Sequence, residues 1–132
     1  MLQSAVSAFQ ASPVFGHGMI DYGKAAQIYA PQGLGYGPWA HLHNDVADFA
    51  VIAGSLGLMS YALLLLAPLA SGLRNGGRWR SATVYLGIVT PVGYFAMGLT
   101  NAMFGVLAQT TLYAVIVSLI AALSRQGKDL PA

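Results

Sequence analysis

The chain has no cysteine, and only 8% of its 132 residues are charged. The first absence removes disulfides, thiolate zinc sites and thiol nucleophiles together. The second argues against an ordinary soluble domain, in which roughly 25% of residues carry charge. Basic residues are also scarce: six Lys and Arg give a net charge of +2. Loop arginines alone account for the pI near 9.1, and no basic face long enough for nucleic acid is present. Met1–Phe9 lacks both the basic leader and the full apolar core of a secretory signal. Insertion is therefore expected to depend on later segments. What the chain has in abundance is apolar surface: 56% of residues are hydrophobic, and the mean hydropathy is +0.61.

The longest apolar run extends from Phe49 to Leu73 without a charge. About 25 residues at 1.5 Å rise exceed the roughly 30 Å hydrocarbon thickness. The expected fold is an all-α integral membrane protein, with three transmembrane helices at about 45–70, 81–99 and 103–123. Residues 1–44 are expected to precede them as an extracytoplasmic loop segment, leaving 45–132 as the membrane region. Met1–Ala11 reads as a short helix or the tail of a longer one. Ser12–Trp39 is dense in Gly, Pro and Tyr, which predicts irregular backbone lying at the headgroup level. Pro91 is expected to kink the second span. The pairs Ala50/Gly54 and Ala53/Gly57 read as small-residue faces for close helix packing. Arg74, Arg78, Arg80, Arg125 and Lys128 fall on one side of such a bundle. The positive-inside rule makes that side cytoplasmic. The His41–Asn44 segment and the Thr100–Asn101 turn then face outward.

The stretch His41-Leu42-His43-Asn44-Asp45 stands at the mouth of the first span. Polar groups on such a run usually mark chemistry or recognition. Asn44 suits an N-cap, with Asp45 and Asp48 favoured in the first turn by the helix dipole. A purely structural capping role is one reading. A zinc site is another, since the string resembles the HxHxDH ligand run of metallo-β-lactamase-like hydrolases, but Val46 stands where that pattern needs His. A third is acid–base chemistry by a neutral imidazole on a sugar hydroxyl.

The same segment resembles the signature of the O-antigen ligase and polymerase superfamily of bacterial inner membranes. His43-Asn44 is followed by Asp45–Ala53 and then by Gly54-Ser55-Leu56-Gly57, the His-Asn-x9-Gly-x-x-Gly spacing. Upstream, Pro13-Val14-Phe15-Gly16-His17-Gly18 is similar to the P-x-x-G-x-G turn that opens that family's periplasmic loop. Leu58 and Met59 stand where ligases proper often have two threonines, and no arginine precedes the motif.

The resemblance implies transfer of a glycan from undecaprenyl pyrophosphate to an acceptor hydroxyl at the periplasmic face of a multi-pass inner-membrane protein, with no cofactor and no metal. It implies His43 as the catalytic group. His41, Asn44, Asp45, Gly16 and His17 would be substrate-binding positions. It also implies that the chain corresponds to the C-terminal part of a longer enzyme, partnered by that enzyme's other spans and by membrane lipid, the lipid-linked donor and the sugar acceptor, and inactive alone. Two further functions stay open at this stage. One is a non-enzymatic membrane module packing against partner helices. The other is a transporter fragment, although the second and third spans offer few polar side chains for a pathway.

Overall fold

The computed structural model describes residues 1–31, 39–74 and 78–126. Among them all regular structure is helical: α1 (Leu2–Ala11), α2 (Tyr22–Ile28), α3 (Asp45–Leu73), α4 (Arg80–Gly98) and α5 (Leu107–Gln126). Three of these, α3, α4 and α5, are long and apolar enough to cross a membrane. The chain divides into two compact units. The first comprises Met1–Ala62 with Met97–Gly105, and the second Leu63–Ala96 with Val106–Ala132.

The first unit is assembled on small side chains. Ala5 and Ala8 of α1, Ala26 of α2, and Ala47 and Val51 of α3 bury together around Leu42. Such residues let backbones approach closely, which is how helices gain contact where apolar transfer contributes little. The helix α2 corrects the expectation of irregular backbone across Ser12–Trp39. Gly23 explains why it fits, because a Cβ there would collide with the carbonyl oxygen of Trp39. Residues 32–38, which belong to the expected Gly-Pro-Tyr loop, lie outside the described residues.

The principal departure from a simple span lies within α3. Ala53 (φ −137°, ψ 18°) and Gly54 (φ 61°, ψ −141°) leave helical geometry, and two helices join across them. The chain turns sharply back at this point. Phe49 and Tyr61 would stand about 18 Å apart along a straight helix, yet their ring centroids are 5.0 Å apart. The segment from 54 to 73, at 1.5 Å per residue, still reaches about 30 Å and suffices to cross the hydrocarbon.

A helix break frees backbone groups that must find partners. Here the turn after α1 supplies them. His17 and Gly18 donate their N–H groups to the carbonyls of Val51 (2.8 Å) and Ile52 (2.9 Å). In return, Ser55 and Leu56 donate to the carbonyls of Pro13 (2.7 Å) and Val14 (3.5 Å). Two glycines make the approach possible. A Cβ on Gly16 (φ +66°) would lie 2.5 Å from Ile52 and Ala53 backbone, and one on Gly54 would lie 2.5 Å from Val14. Gly54 is thus a backbone requirement, correcting its reading as one member of a helix-packing pair.

In the second unit the helices pack by clearance and hydroxyl bonds. Gly72 and Gly87 let α3 and α4 meet at the backbones of Thr83 and Pro68. Tyr94 donates to the carbonyl of Gln109 (2.6 Å), Tyr113 to that of Leu64, and Ser124 to that of Ser71 (3.1 Å). α4 runs as one helix through Pro91. Non-helical backbone falls at Ala53–Gly54 of α3, and Gly87 serves the close approach to Pro68. α5 begins at Leu107 rather than near Met103. Residues 102 and 103 are buried in the first unit's connecting loop.

Candidate functional site

The site is set by how α3 begins. Asn44 caps it: its Oδ1 accepts from the Ala47 N–H at 3.0 Å, satisfying one of the free donors of the first turn. Its Nδ2 donates to the carbonyl of Leu99 at 2.8 Å, tying the helix start to the loop after α4. Both ends of the amide are therefore engaged within the fold. Immediately before the cap, His43 takes φ +55°, a left-handed conformation uncommon outside glycine but tolerated by His more than by most residues. The exposed ring of His43 meets that of His41 edge-on, centroids 4.2 Å apart and planes at 87°.

Between the two histidines, Leu42 is buried, and its N–H donates to Asp48 Oδ1 at 2.8 Å. Asp48 thereby fixes the backbone that presents both rings. One turn earlier, Asp45 is only 1% exposed. Its Oδ1 accepts from the Phe104 N–H at 3.2 Å, while Oδ2 is buried without a hydrogen-bond partner. Gly98 makes room for it, since a Cβ there would sit 2.6 Å from that oxygen. The Nδ1 of His41 is likewise buried without a partner. Two carboxylates held near the N-terminus of one helix gain from its dipole, but they repel each other and any anion brought close.

His41, Asp45 and Asp48 line a pocket of about 390 Å³ together with Tyr22, Phe49 and Phe104. Its walls combine aromatic faces with a few polar atoms, the usual make-up of a small-molecule site. Tyr22 donates its hydroxyl to the carbonyl of Ala40 at 2.6 Å. Burial, and then the charge of Asp48, push its pKa up to about 12, so the phenol stays protonated and neutral. Phe104 stands edge-on to both Phe49 (6.2 Å) and Tyr61 (5.9 Å). Among the described residues, no three His, Asp or Glu side chains group as metal ligands.

Residues 1–62 match the family model described as O-antigen ligase. The matched segment contains both motifs, the Pro13–Gly18 turn and the His43–Gly57 run, and it coincides with the first stretch of the first unit. The O-antigen ligase resemblance read from those motifs is therefore shown over this segment. No curated protein and no solved structure matches the chain.

Within this O-antigen ligase-like segment, the expected site residues separate into two places. His41 and Asp45 line the pocket, and His43 touches it through the ring of His41. Gly16 and His17 lie at the α3 break. The ring of His17 is hydrogen-bonded through Nε2 to the Ala8 carbonyl at 2.8 Å. Sequence reasoning placed Asp48 only at the helix start and passed over Tyr22, Phe49 and Phe104. The i,i+3 spacing of Asp45 and Asp48 was a usable signal for the former. Phe104 had none, because it reaches Asp45 across 59 positions.

Proposed function

We propose that this protein contributes the acceptor side of a lipid-linked glycan transfer of the ligase or polymerase type. The observation that supports it is the imidazole pair His41–His43 over a pocket with two buried carboxylates, inside the segment that matches the ligase family. In this reading His43, the more exposed ring, takes the proton from an acceptor sugar hydroxyl. The hydroxyl oxygen bonds to the anomeric carbon as the bond from that carbon to the pyrophosphate oxygen breaks. The proton rests on the imidazole, and the charge leaves on the lipid pyrophosphate. Asp45 and Asp48 suit the acceptor, since carboxylates accept hydrogen bonds from hydroxyls and repel a pyrophosphate.

The leaving group needs cations. Lys24, the one basic side chain before His41 apart from His17, is paired with Asp21 at 3.1 Å, and both side chains are well exposed. Further spans of the same assembly are therefore proposed to supply the arginines that meet undecaprenyl pyrophosphate. The arginine distribution supports an inner-membrane topology with this unit on the periplasmic side.

The decisive experiment is transfer by a full assembly carrying His43→Ala, with membrane insertion checked in parallel. Loss of transfer by about 10²–10⁴-fold with insertion intact is expected, and His41→Ala should cost less. Near-normal transfer by His43→Ala would end the catalytic assignment. Single cysteines at Asn101 and Arg78 test the topology. The first should label from outside intact cells and the second should not.

A further inference from the structure

The turn that seals the α3 break carries an apolar surface with no counterpart in the transfer chemistry. Phe15 is 74% exposed, Met19 77% and Ile20 93%. No Asp, Glu, Lys or Arg occurs between Met1 and Ile20. Exposed apolar side chains grouped in this way mark contact with another apolar phase. Its position says which. The Pro13–Gly18 backbone is hydrogen-bonded to α3 from Val51 to Leu56, and just beyond that ladder Leu56 and Met59 are exposed on a helix long and apolar enough to cross a membrane. The Val14 carbonyl bonded to the Leu56 N–H brings the turn beside this exposed apolar stretch of α3. The first charges in the chain, the exposed Asp21–Lys24 pair, follow directly after Ile20 and mark a return to water.

We propose that Phe15, Met19 and Ile20 form a membrane-dipping turn, seated in the bilayer at the level of the α3 break, with Asp21 and Lys24 at its aqueous edge. The backbone of a turn can enter an apolar phase only if its polar groups are satisfied within the protein. The exchange with Val51, Ile52, Ser55 and Leu56 provides that for the turn's inner side. Met19 also lines the pocket that holds Asp45 and Asp48. The pocket therefore opens beside lipid, where a lipid-linked substrate would arrive.

The absence of native cysteine makes the test clean. Phe15→Cys, Ile20→Cys and Lys24→Cys, each in the full chain reconstituted in phosphatidylcholine vesicles, are labelled with a nitroxide. Relaxation by oxygen is then compared with relaxation by a water-soluble nickel complex. Oxygen should dominate at positions 15 and 20, and nickel at position 24. Nickel dominating at 15 and 20 would put the turn in water. Labels at 15 and 20 reached by neither agent would mean a protein partner covers the patch. Either result overturns the proposal, and neither depends on transfer activity.

Discussion

The two units both bring helices into backbone contact through glycine, but they ask different things of it. In the second unit Gly72 and Gly87 are helical, and only the space is needed. In the first, Gly16 and Gly54 supply space and a positive-φ backbone that other residues rarely adopt, φ +66° and +61°. The polar groups differ in the same sense. Tyr94, Tyr113 and Ser124 of the second unit donate to helix carbonyls, while His41 Nδ1 and Asp45 Oδ2 of the first are buried without partners. The second unit has such an atom too, Gln109 Oε1, whereas the first gathers His41 Nδ1 and Asp45 Oδ2 with constrained backbone beside one pocket. Such costs persist where the surroundings over-determine them, and they cluster at functional sites.

The comparison breaks most visibly at glycine. Gly54→Ala forces alanine into φ 61°, ψ −141° and drives its Cβ into the Val14 backbone. A loss of about 3 kcal/mol or more is expected, enough to unfold the first unit. Gly87→Ala meets the Pro68 carbonyl at 2.8 Å but keeps helical geometry, so about 1–3 kcal/mol is expected from overpacking. Limited proteolysis and thermal unfolding in detergent measure both. Equal losses would erase the distinction between the units.

Next in size is His43, where backbone and side chain can be separated. Glycine relieves the left-handed conformation at φ +55°, by about 1–2 kcal/mol. His43→Gly should therefore be at least as stable as the parent and lose transfer as fully as His43→Ala. A stable His43→Gly assembly that retains transfer would reduce the residue to a turn former. Asp48→Ala comes after it. That change leaves the buried Leu42 N–H without its acceptor, at about 1–3 kcal/mol, and frees both imidazoles from their fixed backbone. Asp48→Asn keeps an oxygen acceptor for Leu42 and should recover most of the stability. If alanine and asparagine behave alike in thermal unfolding, the Leu42 bond is not what Asp48 provides.

Much of this was legible beforehand, for physical reasons that also explain the rest. Length and hydropathy suffice for three spans, because only apolar helices of that reach satisfy their backbone in lipid. Asn44 announced itself as a cap through local chemistry, and the motif spacing tied His43 to Gly54 and Gly57. What those glycines do was hidden. An apolar run reads the same whether it continues straight or turns back at Ala53–Gly54, and the partner that makes the turn possible lies some forty positions earlier. The same holds for the pocket. Asp45 and Asp48 are neighbours on one helix, whereas Tyr22 and Phe104 arrive from separate segments, and no local pattern reports on contacts of that range.

The smallest expected effect lies in the second unit, at Tyr113. Its hydroxyl donates to the Leu64 carbonyl, and its ring stands 4.8 Å from that of Tyr94. Tyr113→Phe keeps the ring and removes only the hydroxyl. The Leu64 carbonyl sits inside α3 and retains its second lone pair for the helix, so no group is orphaned outright. Interhelical hydrogen bonds in membrane proteins average about 0.6 kcal/mol. A loss near that value is expected in thermal unfolding, with transfer by a full assembly unchanged. If the loss instead matches that of Asp48→Ala, the second unit depends on its polar contacts as heavily as the first, and the contrast drawn between them fails.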